Sequence, residues 1–197
     1  MIELIFATNN AHKVEEIQAI IPASLKVVSL KQAGIEIDIP EPFDTLEENA
    51  KEKSSVIYKM TGMNTFSEDT GLEVEALNGE PGVKSARYAG EEKSFDRNIE
   101  KLLARLKGNK NRKARFRAVI SLIWDGKEYS FEGVSDGVIT ESSKGSKGFG
   151  YDPIFQPLGS AKTFGQMDLE EKTQHSHRKK AGDKLVLFLH NQLAPTT

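Results

Sequence analysis

The chain has 197 residues, 38% of them hydrophobic and 28% charged, which is enough for one substantial folded domain. Its formal net charge of −2 gives no global positive field, so we expect no nucleic-acid partner. The absence of cysteine excludes disulfides, thiolate metal sites and a cysteine nucleophile, and the absence of a long apolar run predicts a cytoplasmic protein without membrane contact.

The first third of the sequence predicts alternating strands and helices. Residues 2–7 form an apolar run typical of a buried strand, and the helix that follows is stopped by Pro22. Residues 25–30 predict a second strand and residues 34–44 an irregular loop. A second helix is predicted over residues 45–62, because a threonine cap opens it and a glycine closes it.

The remaining two thirds mix strands, turns and helices. The predicted elements are a short strand at 64–67, a tight turn at 68–71, a helix at 94–107, strands at 114–124 and 128–138, and a helix at about 176–193. Asp125-Gly126 is a favoured turn pair and predicts a hairpin between the last two strands. The mixture predicts an α/β fold in a single domain over residues 1–194, with 195–197 as a flexible tail.

The first candidate for chemistry is the polar run Thr8-Asn9-Asn10-Ala11-His12-Lys13. It joins a strand to a helix, and exposed N–H groups at a helix start bind anions. Lys13, one turn into the helix, would add a positive charge for a phosphate. The alternative is an asparagine cap followed by a solvated lysine.

The second candidate lies at the start of the second helix. Thr45 and Glu48 match the capping-box pattern, which accounts for both without any function. Lys53 is different, because it falls on the apolar face of the same helix. A cation there needs a buried partner or a phosphate, unless its ammonium reaches out to solvent.

The third candidate is Glu68-Asp69-Thr70-Gly71, which follows a strand. Its two adjacent carboxylates offer the hard oxygen ligands that Mg²⁺ prefers. On its own, the run is also a good tight turn. The residue types therefore leave a metal site and a simple turn as alternatives.

Two further motifs lie in the last quarter of the chain. In Gly148-Phe149-Gly150-Tyr151-Asp152-Pro153, two glycines bracket an aromatic ring that either stacks on a base or fills the core. In the run from Lys172 to Arg178, Ser176 can cap the last helix, which places His177 and Arg178 in its first turn. Cations at a helix start are unfavourable with the helix dipole, so their presence there suggests a function. Zinc binding by His175 and His177 is a weaker alternative.

Together these motifs resemble the inosine/xanthosine triphosphate pyrophosphatases, a family of noncanonical purine nucleoside triphosphate pyrophosphatases. The runs that carry the resemblance occur in family order over nearly the whole chain: Thr8 to Lys13, Glu48-Asn49-Ala50, Ser67 to Leu72, Pro81 to Tyr88, Gly148 to Pro153, and Lys172 to Arg178. The resemblance implies an elongated mixed β-sheet flanked by helices, two lobes with a central active-site cleft, a homodimer, and a Mg²⁺ cofactor. Its implied substrates are ITP, dITP and XTP.

The resemblance also implies roles for single residues. Thr8 to Lys13 and Lys53 would hold the triphosphate, and Thr70 would contact the substrate. Glu48 and Asp69 would hold Mg²⁺, and Asp69 would also be the catalytic proton acceptor. The implied base and sugar contacts are Phe149, Gly150, Tyr151, Asp152, Lys172, His177 and Arg178. Many family members carry aspartate where this chain has Glu68, so a metal-ligand role for Glu68 stays open.

The expected reaction is water attack that releases pyrophosphate and a nucleoside monophosphate. An ordinary aspartate has a pKa of roughly 4, so the metal must supply much of the activation of the water. Donors such as His177 and Arg178 suit the O6 atom of hypoxanthine, where adenine carries an amino group. Two other functions remain open, hydrolysis of other modified triphosphates and non-catalytic binding of nucleotide or RNA, the latter through Phe149 and the basic stretch 107–117.

Overall fold

The computed structural model describes residues 2–193, which contain seven strands and five α-helices. The strands are β1 (Ile2–Phe6), β2 (Leu25–Ser29), β3 (Thr65–Val74), β4 (Pro81–Gly82), β5 (Lys113–Trp124), β6 (Lys127–Ile139) and β7 (Phe155–Pro157). The helices are α1 (Ala11–Ile20), α2 (Leu46–Thr61), α3 (Phe95–Arg105), α4 (Leu169–His175) and α5 (His177–Leu193).

The strands form one mixed sheet in the order β2-β1-β3-β5-β6-β7, and β4 pairs with β3 beside this path. β1 runs parallel to β2 and to β3, with Ile5 opposite Thr65 in the second pair. β7 runs antiparallel to β6. The predicted mixed α/β fold is therefore confirmed.

The chain divides into two compact units, each with its own apolar core. The first unit contains residues 2–69, 118–133 and 178–193, and in its core the rings of Phe6 and Phe66 stack with centroids 4.4 Å apart.

The second unit contains residues 70–117 and 134–177. Its core is built around three aromatic side chains, Phe116, Phe155 and Phe164. The predicted single domain and its two lobes stay predictions, and the predicted tail 195–197 lies outside the described residues.

β3 corrects one prediction. Residues 68–71 were expected to form a turn after a short strand, but β3 runs without interruption from Thr65 to Val74. Residues Thr65 to Asp69 are all buried along this strand. Sequence patterns favoured a turn because two adjacent acids rarely enter a buried strand; lysine and arginine partners from other segments compensate them here.

The other predicted elements are confirmed within a few residues, and three short ones were missed. The hairpin turn is present, since Asp125 and Gly126 have φ values of 48° and 78° between β5 and β6. The missed elements are β4, α4 and β7. β4 and β7 are two and three residues long, too short to show an alternating pattern.

None of the helices between residues 2 and 193 has both the length and the hydropathy that crossing a bilayer requires.

Gly71 lets β3 and β4 approach closely. The two strands pair antiparallel with Leu72 opposite Gly82, and a Cβ atom built on Gly71 would lie 2.6 Å from the carbonyl oxygen of Gly82. That oxygen belongs to the backbone, so the contact cannot be relieved by a rotamer change. The motif glycine is thus explained by packing within the second unit.

We therefore expect Gly71→Ala to lower the free energy of unfolding by about 1–3 kcal/mol, as overpacking does, and Gly71→Val to lower it more. Thermal unfolding measures the effect, with the exposed Ser142→Ala as a control expected within about 0.5 kcal/mol of the unmodified protein. Unchanged melting temperatures for both Gly71 variants would show that β4 moves away at no cost.

Candidate active site

The start of α1 has features of both alternatives for the run Thr8 to Lys13, the asparagine cap and the positioned lysine. Asn10 caps the helix, because its side-chain oxygen accepts hydrogen bonds from the backbone N–H groups of His12 (3.0 Å) and Lys13 (3.2 Å). Thr8 Oγ1 accepts from the N–H of Asn10, and Asn9 Nδ2 donates to the carbonyl oxygen of Ile37. Ala11 and His12 are exposed at the first turn.

Lys13 is not the solvated lysine of the alternative interpretation. Its side chain is 14% exposed, and its Nζ lies 3.3 Å from both the carbonyl oxygen and the Oε1 atom of Glu68. Burial lowers the pKa of Lys13, against the raising effect of Glu68. The capped helix start therefore places a cation against β3.

Lys53 meets the condition set for a cation on an apolar helix face. It is buried, and its Nζ donates to Glu41 Oε1 (2.7 Å), the carbonyl oxygen of Glu68 (2.9 Å) and Asp69 Oδ1 (3.1 Å). Burial alone would lower its pKa, but the carboxylates of Asp69 and Glu41 more than offset this, and the pKa is raised. Lys53 is therefore a fixed positive charge at neutral pH.

Asp69 has the electrostatics of a proton acceptor. Burial raises the pKa of its carboxyl above the ordinary aspartate value, although Lys53 and Lys13 pull it down. A raised pKa makes the carboxylate a stronger base than an exposed aspartate. The residue that the sequence predicts as catalytic thus differs physically from a surface acid.

Arg178 is the most deeply buried charge of the predicted site. It is 1% exposed, its Nη2 donates to Glu68 Oε1 at 2.9 Å, and its Nε donates to the other oxygen of the same carboxylate. Its Nη1 donates to Glu16 of α1. Together, Glu68 and Glu16 outweigh burial and raise the pKa of Arg178. The guanidinium that was predicted to contact a base is held by these two carboxylates.

Glu48 and Glu41 have different surroundings. Glu48 is exposed and completes the capping pattern of α2, accepting a 2.7 Å hydrogen bond from Thr45 Oγ1. Glu41 precedes α2 and shares the ammonium of Lys53 with Asp69. No sequence pattern marks Glu41, because it lies in a loop rich in acids and prolines. The structure brings Glu41, and not Glu48, to the same nitrogen as Asp69.

The donor set near Asp69 suits a hard divalent cation. Glu41, Glu68 and Asp69 offer carboxylate oxygens, the ligand type of Mg²⁺, which retains waters and binds substrate phosphates through its other positions. Between residues 2 and 193 no three acidic, histidine or cysteine side chains are grouped to hold a metal by themselves. Glu41 and Asp69 would therefore hold such a cation together with further ligands, such as water or phosphate oxygens.

The second unit holds a separate group of predicted residues around Asp152. Asp152 is buried, and its Oδ2 accepts from Lys172 Nζ (2.7 Å) and from the backbone N–H of Phe149 (3.0 Å). The Lys172 ammonium also lies 5.0 Å from the centroid of the half-buried Phe149 ring, within the range of a cation–π contact. This group can present an aromatic face beside a fixed ion pair.

The other predicted residues of the second unit are buried or half-buried. Tyr151 is buried, and its hydroxyl donates to the carbonyl oxygen of Ser85 at 2.7 Å. His177 is buried, with its ring stacked on Phe116 at a centroid distance of 4.8 Å. Thr70 and Gly150 are half-buried. Within the first unit, Lys13, Lys53, Asp69 and Arg178 form one cluster; within the second, Phe149, Asp152 and Lys172 form another.

The chain is similar in sequence to known proteins over nearly its whole length. The sequence profile of the Ham1 family matches residues 4–188. A protein of Flavobacterium johnsoniae named dITP/XTP pyrophosphatase is 49% identical over 187 residues, which cover 95% of this chain and 97% of that protein.

Two solved structures are similar in fold over nearly their whole length. The Ham1 protein of Staphylococcus aureus has a TM-score of 0.87 and 41% identity, covering 96% of this chain and 99% of its own. A HAM1 protein from Coxiella burnetii has a TM-score of 0.88 and 34% identity, covering 97% and 100%.

Removing the buried guanidinium should be costly. We expect Arg178→Met to lower the free energy of unfolding by about 3–5 kcal/mol at neutral pH, because Glu16 and Glu68 lose their shared cation inside the protein. Urea unfolding measures the loss.

Arg105→Met provides the control, since Arg105 pairs with Glu80 at 3.0 Å on the surface, where such pairs contribute less than about 1 kcal/mol. Arg178→Lys keeps the charge but lacks the planar guanidinium, so its loss in free energy of unfolding should lie between those of Arg178→Met and Arg105→Met. Equal losses for Arg178→Met and Arg105→Met would contradict the assigned role.

Proposed function

The chain belongs to the Ham1 family, and from this we propose that it hydrolyses the noncanonical purine nucleoside triphosphates ITP, dITP and XTP to the monophosphate and pyrophosphate. The observation that carries the proposal is the cluster in which Lys13 and Lys53 both contact the carbonyl oxygen of Glu68, while Lys53 also pairs with the buried carboxylate of Asp69. A relative named dITP/XTP pyrophosphatase, almost half identical over nearly the whole chain, supports the choice of substrate.

The triphosphate is bound by the cationic side of the cluster. Lys13 and Lys53 approach the same carbonyl oxygen, that of Glu68, so two ammonium groups converge on one point of β3. A polyphosphate that binds there offers each ammonium a stronger acceptor than a neutral carbonyl. Thr8 and Asn10 shape the backbone that leads into α1, and Thr70 follows Asp69 along the strand.

The metal is held by Asp69 with Glu41, and we propose Glu41 in preference to Glu48. Glu41 and Asp69 both contact the ammonium of Lys53, so their carboxylate oxygens lie close together. Two carboxylates in one place favour a divalent cation. When bound, Mg²⁺ supplies charge neutralisation for the leaving pyrophosphate and lowers the pKa of the attacking water.

Asp69 takes the proton from the attacking water. Burial raises the pKa of its carboxyl, which makes it a stronger base, although the neighbouring Lys53 and Lys13 oppose that shift. No covalent intermediate is required, because water attacks phosphorus directly and pyrophosphate leaves with its charge stabilised by Lys13 and Lys53.

The base is recognised by the group in the second unit. Phe149 offers a face for stacking, and the pair of Asp152 and Lys172 provides fixed polar groups. Gly150, Tyr151 and His177 remain predicted contacts of the base. The homodimer and the cytoplasmic location are also proposed.

The first test is the product of the reaction. Incubation with ITP and Mg²⁺ should yield IMP and pyrophosphate, and Asp69→Asn should lower kcat by about 10²-fold or more, because the proton acceptor is lost. Chromatography of the nucleotides with a pyrophosphate assay measures both. Release of orthophosphate with IDP would overturn the reaction, and unchanged turnover of Asp69→Asn would overturn the role of Asp69.

The second test separates the two acidic residues. Glu41→Gln should raise the Mg²⁺ concentration for half-maximal activity by about tenfold or more, because a charged oxygen ligand is lost. Glu48→Gln, the matched control, should leave it within about twofold, since glutamine also completes a capping box. A larger increase in this Mg²⁺ concentration for Glu48→Gln than for Glu41→Gln would favour Glu48 as the ligand.

A further inference from the structure

An exposed aromatic residue lies beside the proposed base pocket. Phe95 is the first residue of α3, directly after the helix cap Ser94, and 44% of its surface is exposed. Helix formation does not require an aromatic residue at this position, and the exposure of a large apolar ring to water is unfavourable. Packing in the core of the second unit therefore does not account for Phe95.

The ring of Phe95 contacts the ring of Phe149. Their centroids are 6.3 Å apart and their planes are inclined by 50°, within the distance at which aromatic pairs attract in tilted arrangements. Both residues belong to the second unit. The contact joins the start of a regular helix to a loop residue that lies between two glycines.

Asp152, Lys172 and Phe95 all contact Phe149. Its backbone N–H donates to Asp152, the Lys172 ammonium lies over its ring, and Phe95 meets the ring from α3. The contact to Asp152 restrains the backbone. Lys172 and Phe95 restrain the ring, and of these two only Phe95 is apolar and carried by a helix of eleven residues.

We propose that Phe95 is a positioning residue for base recognition, holding the Phe149 ring in the orientation at which a purine stacks on it. The inference rests on the proposed function and extends it to a residue outside the sequence motifs. Phe95 acts through Phe149 and takes no part in the chemical step. Removing the Phe95 ring should therefore weaken the binding of every ligand that carries the base and leave unchanged the binding of ligands that consist of phosphate alone.

The test compares the two products, IMP and pyrophosphate, as inhibitors of ITP hydrolysis in the presence of Mg²⁺. For Phe95→Ala we expect KM for ITP and the inhibition constant of IMP to rise together by about 3- to 10-fold, the range that one ring–ring contact supplies. We expect kcat and the inhibition constant of pyrophosphate to stay within about twofold. Phe95→Tyr, which keeps the ring, should behave as the unmodified protein.

Leu158→Ala is the matched control, because Leu158 is an exposed apolar residue of the same unit, 65% exposed, outside the proposed site. It should change neither inhibition constant. In a Phe149→Ala background, Phe95→Ala should have little further effect on IMP, since the ring that it positions is gone.

Equal changes for IMP and pyrophosphate, no change for either, or additive effects of Phe95→Ala and Phe149→Ala would overturn the inference. These outcomes are distinct from failure of the proposed function, which would show as absence of ITP turnover by the unmodified protein.

Discussion

The central constraint on the first unit is the burial of two adjacent carboxylates in β3. Glu68 is 1% exposed and Asp69 is 6% exposed, and an isolated charge at that depth would be strongly destabilising. Each carboxylate is instead bound by cations from elsewhere in the chain. Arg178 and Lys13 bind Glu68, and Lys53 binds Asp69.

This requirement links segments that are far apart in sequence. α1 contributes Lys13 and Glu16, α2 contributes Lys53, and α5 contributes Arg178. A buried ion pair adds little net stability over an apolar pair, but removing one partner is costly. The cluster therefore restricts which charges these helices can carry. The same geometry leaves two ammonium groups and a base-like carboxylate together, as phosphate chemistry requires.

The sequence predicts the fold better than it predicts the geometry of the site. Helices and long strands follow from apolar spacing, and the Asp125-Gly126 hairpin follows from turn chemistry. Residues 68–71 were expected to form a turn because the cations that bind Glu68 and Asp69 lie 16 to 110 positions away in the chain. Glu41 and Phe95 could not be found at all, since each matters through a contact with a distant residue and neither belongs to a local pattern.

The contacts of Glu68 with Lys13 and Arg178 restrict which side chain can occupy this position. One carboxylate reaches both Lys13 and the fork of Arg178, so its length is matched to the spacing between α1 and α5. A relative with the shorter aspartate here would have to shift a helix inward or lengthen another side chain. In this chain, Glu68→Asp should consequently weaken the contact with Lys13, with Arg178, or with both.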